Sequence, residues 1–260
     1  MRAVDLQIIA PEWPAPPGVR AAFTLRTGGV SLAPYDSLNL GARIGDSPEA
    51  VAENRRRVRE KLRLPAEPVW LEQVHGVQVV ELGAAGAVRR GNPAEQPLTA
   101  DASVAHAAGQ VCAIRVADCM PVLFAARDGS AVGAAHAGWR GLAGGVLQAT
   151  IAQLGVPAAH LIAWMGPAIG PAHFEVGEDV RAAFTAADAG AASGFVANAR
   201  GRWQCDLYAL ARRTLSALGV SSIYGGGWCT FAEPARFFSY RRDGQCGRMA
   251  ALIWIEPEPG

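Results

Sequence analysis

Between residues 101 and 136 the chain alternates short apolar runs with polar breaks. Runs at 101–105, 111–116, 121–126 and 131–136 recur about every ten residues, the cadence of a sheet-rich core. Further strand-like runs fall at 19–25, 69–74, 77–82, 161–165 and 249–255, with a short one at Ile223 and Tyr224. Helical spacing replaces this pattern in four places. Ser47, Pro48 and Glu49 read as a cap, a proline at the first position and an acid in the first turn. That helix runs to about Arg63, before Pro65, with Val51, Val58 and Leu62 inward. Leu142, Val146, Thr150 and Leu154 mark a second helix, stopped by Gly155. A third spans 177–184. Asp206 caps a fourth through Leu218, with Leu207, Leu210, Leu215 and Leu218 inward and Gly219 as the stop. Strands and helices follow no regular alternation. The pattern predicts an α+β fold, mixed β-sheets packed together with flanking helices.

The Gly/Ala/Pro/Arg-rich stretch 83–99 reads as a mobile loop, and 190–201 as small, polar and exposed. Arg55, Arg56, Arg57, Arg59 and Lys61 make the first helix basic, which reads as a solvated face. With 260 residues and 50% hydrophobic composition, one domain over 1–260 is expected. A formal net charge of +1 gives no footprint for nucleic acid or an anionic membrane. No run is long and apolar enough for a transmembrane helix. The five cysteines form no CxxC pair, and the start lacks the apolar region of an export signal. Free thiols and a cytoplasmic location are therefore expected.

Polar residues that interrupt the apolar runs carry the candidate chemistry. Asp118 and Cys119 precede one run, and His136 ends the next, followed by Gly138, Trp139, Arg140 and Gly141. His75 and Gly76 stand between two predicted strands. Three protein ligands with one open position is the catalytic zinc pattern, and His75, Cys119 and His136 supply such a set. Zinc suits these donors, and copper also accepts them. Cys112, His106, His160 and His173 compete on spacing alone. The same atoms also read as a Cys119 nucleophile with a histidine base. Arg26 stands beside Gly28 and Gly29, and Asn39 lies in the polar stretch 35–41; both loops are candidate substrate contacts. Arg140, before the Leu142 helix, is a candidate anion contact. Arg241 and Arg242 are further ones.

The stretches TLRTGGVSLAPYDSLNLG, LEQVHG, ADCMPVLF, HAGWRG, MGPAIGP and FFSYRRDG, with the strands between them, cover most of residues 20–255. In combination they resemble the YfiH family, known as laccase-like multicopper polyphenol oxidoreductases and as purine nucleoside phosphorylases. The resemblance implies a YfiH-like cysteine hydrolase fold. It also implies one zinc on His75, Cys119 and His136. The implied activity is phosphorolysis of adenosine, inosine, guanosine and methylthioadenosine, with deamination of adenosine. The implied partners are purine nucleosides and phosphate. The family also contains activities ascribed to editing of peptidoglycan precursors, the alternative for a cysteine or metal hydrolase. A copper-dependent polyphenol oxidase is the third alternative. Multicopper oxidation needs many histidines, and this chain has five.

Overall fold

Alternate side chains along the central strands enter two different cores, which is why those runs are apolar on both faces. The computed structural model describes residues 5–83 and 97–258. A six-stranded sheet has the order β13 (Ser222–Gly225), β9 (Leu161–Met165), β7 (Met120–Ala126), β8 (Val132–Ala137), β5 (Ala102–Ala105) and β4 (Val79–Glu81). Val122 and Phe124 of β7 face a core shared with α3 (Val146–Leu154), α4 (Glu178–Thr185) and α5 (Leu207–Ala217). Leu123 and Ala125 face the opposite way, against Phe23, Ile114 and Ile253.

Those last residues belong to a five-stranded sheet, ordered β1 (Ile8–Ile9), β2 (Val19–Thr24), β14 (Met249–Ile255), β6 (Val111–Val116) and β3 (Val69–Trp70). Its outer face, through Ala113 and Leu252, meets Val58 of α1 (Pro48–Leu62) together with Leu38 and Leu40. A three-stranded sheet of β10 (Glu175–Val176), β12 (Trp203–Cys205) and β11 (Phe195–Ala197) completes the described strands. The expected α+β architecture of packed mixed sheets with flanking helices is present.

The predicted caps form. Ser47 Oγ accepts the Ala50 N–H, and Asp206 accepts the Ala209 N–H. Four local expectations differ from the structure. The helix expected at 142–154 begins earlier, as α2 (Trp139–Gly144), and breaks at Gly145, whose φ of 101° leaves the helical region. The strands expected at 69–74 and 77–82 shrink to β3 and β4. The N–H groups of residues 74–76 turn to a side chain instead of a ladder. The stretch 190–201 includes β11, because Phe195 packs 5.9 Å from Phe184 in the core. Of the expected loop 83–99, residues 84–96 lie outside the described residues. Among the described residues no helix is long and apolar enough to cross a membrane.

Candidate active site

One buried carboxylate organises the site. Asp101, just before β5, has no exposed surface. Its Oδ2 accepts the N–H groups of Val74 at 3.1 Å and Gly76 at 2.7 Å, and its Oδ1 accepts that of His75 at 2.9 Å. These bonds bend the chain so that His75 takes φ 62°, a left-handed conformation rare for histidine. Oδ1 also lies 2.8 Å from His136 Nδ1. The β5–β8 ladder fixes that meeting, for the His136 N–H donates to the Asp101 carbonyl at 2.7 Å. Burial opposes the charge on Asp101, but His136 and the loop N–H groups outweigh it and hold the carboxyl below its ordinary range. With Nδ1 donating to a carboxylate, His136 presents Nε2 as a ligand atom.

Cys119 is delivered by the other side of the ladder. Met120 pairs with Ala137, which places Cys119 beside Gly138. Asp118 takes φ 89°, and its carboxylate accepts the Thr230 hydroxyl at 2.6 Å and the Arg241 N–H at 2.7 Å. That anchoring offsets the backbone strain and aims Cys119 at the histidines. Cys119 Sγ lies 3.8 Å from His75 Nε2, and the three ligand atoms all fall within 4.8 Å of one another. Zinc bound at about 2.0 to 2.3 Å puts its ligand atoms roughly 3.5 Å apart, so this set fits the ion after small side-chain rotations. A Cβ at Gly138 would sit 2.7 Å from Cys119 Sγ, so the glycine keeps the pocket between the three ligands clear. Without metal, burial opposes ionisation of Cys119, but the charges and hydrogen bonds of His136 and His75 bring the thiol down to about 6. Burial likewise works against charge on His136, and the Cys119 thiolate and Asp101 push it up to about 9.

A cleft of about 880 Å³ opens over these three residues. Arg140 lines it, stacked 4.3 Å from the Trp139 ring. Arg241 also lines it, with Nη1 donating to the Glu175 carbonyl at 2.9 Å. Three other expected contacts stand away from the cleft. Arg26 donates to the carbonyls of Asp36 and Pro234 and lies over Phe238. Arg242 donates to the carbonyls of Thr230, Phe231 and Phe237. Asn39 is fully buried and bonds Gly41 and Asp46. Each spends its polar atoms holding loops in place. Of the competing ligands, His173 pairs with Cys229 at 3.4 Å, while burial pushes the Cys112 thiol up to about 12. All five cysteines are free thiols.

Sequence reasoning passed over Asp101 and the arginines Arg43, Arg55, Arg115 and Arg248, all four of which line the cleft. Arg55 is not on the solvated face expected of it: it turns inward over Trp70 at 4.3 Å. Its spacing from Val51 and Val58 was the available signal, because it falls on the same helical stripe.

The family model described as multi-copper polyphenol oxidoreductase laccase matches residues 20–256. A purine nucleoside phosphorylase of Pseudomonas aeruginosa is 54% identical over 249 residues, 95% of this chain and 98% of the relative. Purine nucleoside phosphorylase YfiH of Escherichia coli is 50% identical, over 96% of this chain and 99% of its own. A crystal structure of a Neisseria meningitidis protein superposes with a TM-score of 0.88 at 48% identity, covering 96% of this chain and 99% of that one. YlmD from Geobacillus stearothermophilus follows at 0.83 and 33%, covering 97% and 99%. Matched from its second strand to its last, the chain belongs to the multi-copper polyphenol oxidoreductase laccase family, the YfiH family.

Proposed function

We propose that this chain is a zinc-dependent purine nucleoside phosphorylase, with adenosine deamination as a slower activity. The observation that carries the proposal is the His75, Cys119 and His136 set at the base of an arginine-lined cleft. The names of the relatives agree with it. A cleft of about 880 Å³ is large enough for a nucleoside and phosphate together.

His75, Cys119 and His136 would hold the zinc. When bound, zinc supplies a Lewis acid with one open position. Asp101 keeps the proton on His136 Nδ1 and holds the His75 loop in place. Arg140 and Arg241 place phosphate beside the ribose. Trp139, Phe174 and Tyr240 line the same space, and the purine would pack beside them. In phosphorolysis a phosphate oxygen bonds to C1′ as the bond from C1′ to N9 breaks. The electron pair leaves with the purine, which takes up a proton. The products from adenosine are adenine and ribose 1-phosphate.

A second reading rests on the metal-free site, where the two histidines lower the Cys119 thiol and Cys119 and Asp101 raise His136, which favours a thiolate and imidazolium pair. That pair is the equipment of a cysteine hydrolase, for which a peptidoglycan precursor is the alternative substrate. The copper oxidase reading has less behind it. Among the described residues one group of three His, Cys or acidic side chains is placed to hold a metal.

Chromatography of products from adenosine, with and without phosphate, separates these readings. Wild type should release adenine only with phosphate, and His75→Ala should do neither reaction. Arg140→Ala should slow phosphorolysis by about one to two decades and spare inosine formation more. Absence of both phosphate-dependent adenine and inosine from wild type would reject the purine reading in favour of the hydrolase.

A further inference from the structure

The cleft has a second charged wall that neither the metal ligands nor Arg140 and Arg241 use. Arg43, Arg55, Arg115 and Arg248 line it, and two short strips of backbone carry all four. On the first strip, Arg55 donates from Nε and Nη2 to the Leu40 carbonyl at 3.2 and 2.9 Å. The Arg248 N–H donates to Asn39 Oδ1 at 2.9 Å, and its carbonyl accepts the Leu40 N–H at 3.0 Å. On the second, Arg115 Nη2 donates to the Leu71 carbonyl at 2.6 Å, and Arg43 stands 3.8 Å from Glu72.

Among the described residues, cations on this wall outnumber the acids near them, and the cleft is lined by two carboxylates, Glu72 and Asp118. Asp118 is engaged by Thr230 and the Arg241 backbone; exposed Glu72 pairs with Arg43 and also attracts Arg115, and Glu67 attracts Arg55. Arg115 Nε is buried without a hydrogen-bond partner among the described residues. Burial, then repulsion from Arg248, pushes Arg115 down to about 10; burial, then repulsion from Arg115, does the same to Arg55. Gathering four cations, three of them half-buried, beside fewer acids opposes folding, so such a wall is expected to serve a ligand. Planar guanidinium forks match the oxygens of a phosphoryl group, and an anion held among them relieves both burial and repulsion.

We infer that Arg43, Arg55, Arg115 and Arg248 form a second anion site in this cleft, which holds a phosphoryl group, either free phosphate or one carried by the substrate. The site is joined to the metal loop. Gln73, two residues before His75, donates to the Arg115 carbonyl at 2.8 Å and accepts the Arg115 N–H at 2.9 Å. Asn39 is a positioning residue here. Its amide locks the strip that carries Arg55 and Arg248. The inference goes beyond the purine reading and stands on the wall itself.

Isothermal titration of the full chain with inorganic phosphate, adenosine and adenosine 5′-monophosphate tests it. The protein is compared with Arg115→Gln and Arg55→Gln, with thermal melts to check folding. The same titrations on Cys119→Ala, which lacks a metal ligand, keep the anion site separate from any failure of the purine reading. If the phosphoryl group is carried by the substrate, the monophosphate binds tighter than adenosine, and that preference falls about tenfold in either variant. If it is free phosphate, adenosine and its monophosphate bind alike, and phosphate affinity falls by about the same factor. Should either variant fail to fold, Arg43→Gln, at a side chain 64% exposed, replaces it with a smaller loss expected in the same direction. Unchanged phosphate and monophosphate affinities in the folded variants overturn the site.

Discussion

Among the described residues, three candidate ligand side chains on the floor of the cleft converge around one buried carboxylate, whereas four cations along the far wall converge around none. On the floor, Asp101 satisfies three backbone N–H groups and His136 at once. Asp118 fixes the turn that aims Cys119. On the wall, each arginine is steadied by a backbone carbonyl or a surface acid and keeps much of its charge unpaired. The floor is therefore pre-organised by the protein alone, whereas the wall is completed by what binds. Loss of a floor support should damage structure and metal binding together. Loss of a wall cation or of Arg140 should damage ligand binding and leave the fold intact.

The largest effect is expected at Asp101. Asp101→Ala leaves three N–H groups and the His136 ring without their shared acceptor, and should lower stability by about 3 to 5 kcal/mol in denaturant unfolding. Asp101→Asn keeps the shape but loses the charge, and should weaken metal affinity by about 10- to 100-fold in a chelator competition. Full metal affinity in a folded Asp101→Asn protein would break the account of the floor.

Two neighbouring motifs sharpen the contrast. Arg242→Ala removes donors from three loop carbonyls and should cost about 1 to 3 kcal/mol in melting experiments. Arg140→Ala, at a residue exposed in the cleft, should change stability by no more than about 0.5 kcal/mol. It should still lower kcat/KM for phosphorolysis by about one to two decades. The reverse pattern would exchange the roles of the two arginines.

The smallest and most local effect is in metal-free protein. The Cys119 thiol, lowered to about 6, should be alkylated with a rate that rises as pH passes upward through that value and levels off above it. Removing an opposing cation raises a thiol, so His136→Ala should move the midpoint upward. Cys112 and Cys205, pushed up to about 12 by burial, should stay silent in peptide mapping across the same range. A Cys119 midpoint near the ordinary thiol value would show that the two rings do not stabilise the thiolate.

The two regions also differed in how they could be read from the chain. Cys119 directly precedes one apolar strand and His136 lies near the end of the next, where a pair of soft-metal donors at the ends of neighbouring strands stands out. The strands around them were placed to within one residue, since burial on both faces leaves long apolar runs. Asp101 was hidden at the edge of a predicted strand, where an acid is unremarkable. Its role depends on residues 74–76, which reach it only through tertiary folding. Arg55 and Arg115 look like other surface arginines, and only the docking of residues 39–43 and 70–73 makes them a wall. Arg26 and Arg242 show the converse. Both lie in motifs that resemble the family, yet their guanidinium groups hold carbonyls away from the cleft.

On the proposed function, His75, Cys119 and His136 hold one zinc in an otherwise self-supporting fold. The decisive measurement is elemental analysis of purified wild type and Cys119→Ala, paired with a thermal melt of each. One zinc per chain is expected in wild type, little or none in Cys119→Ala, and a cooperative melt in both. Stoichiometric zinc in Cys119→Ala, or a wild type that binds none when zinc is supplied, would contradict it.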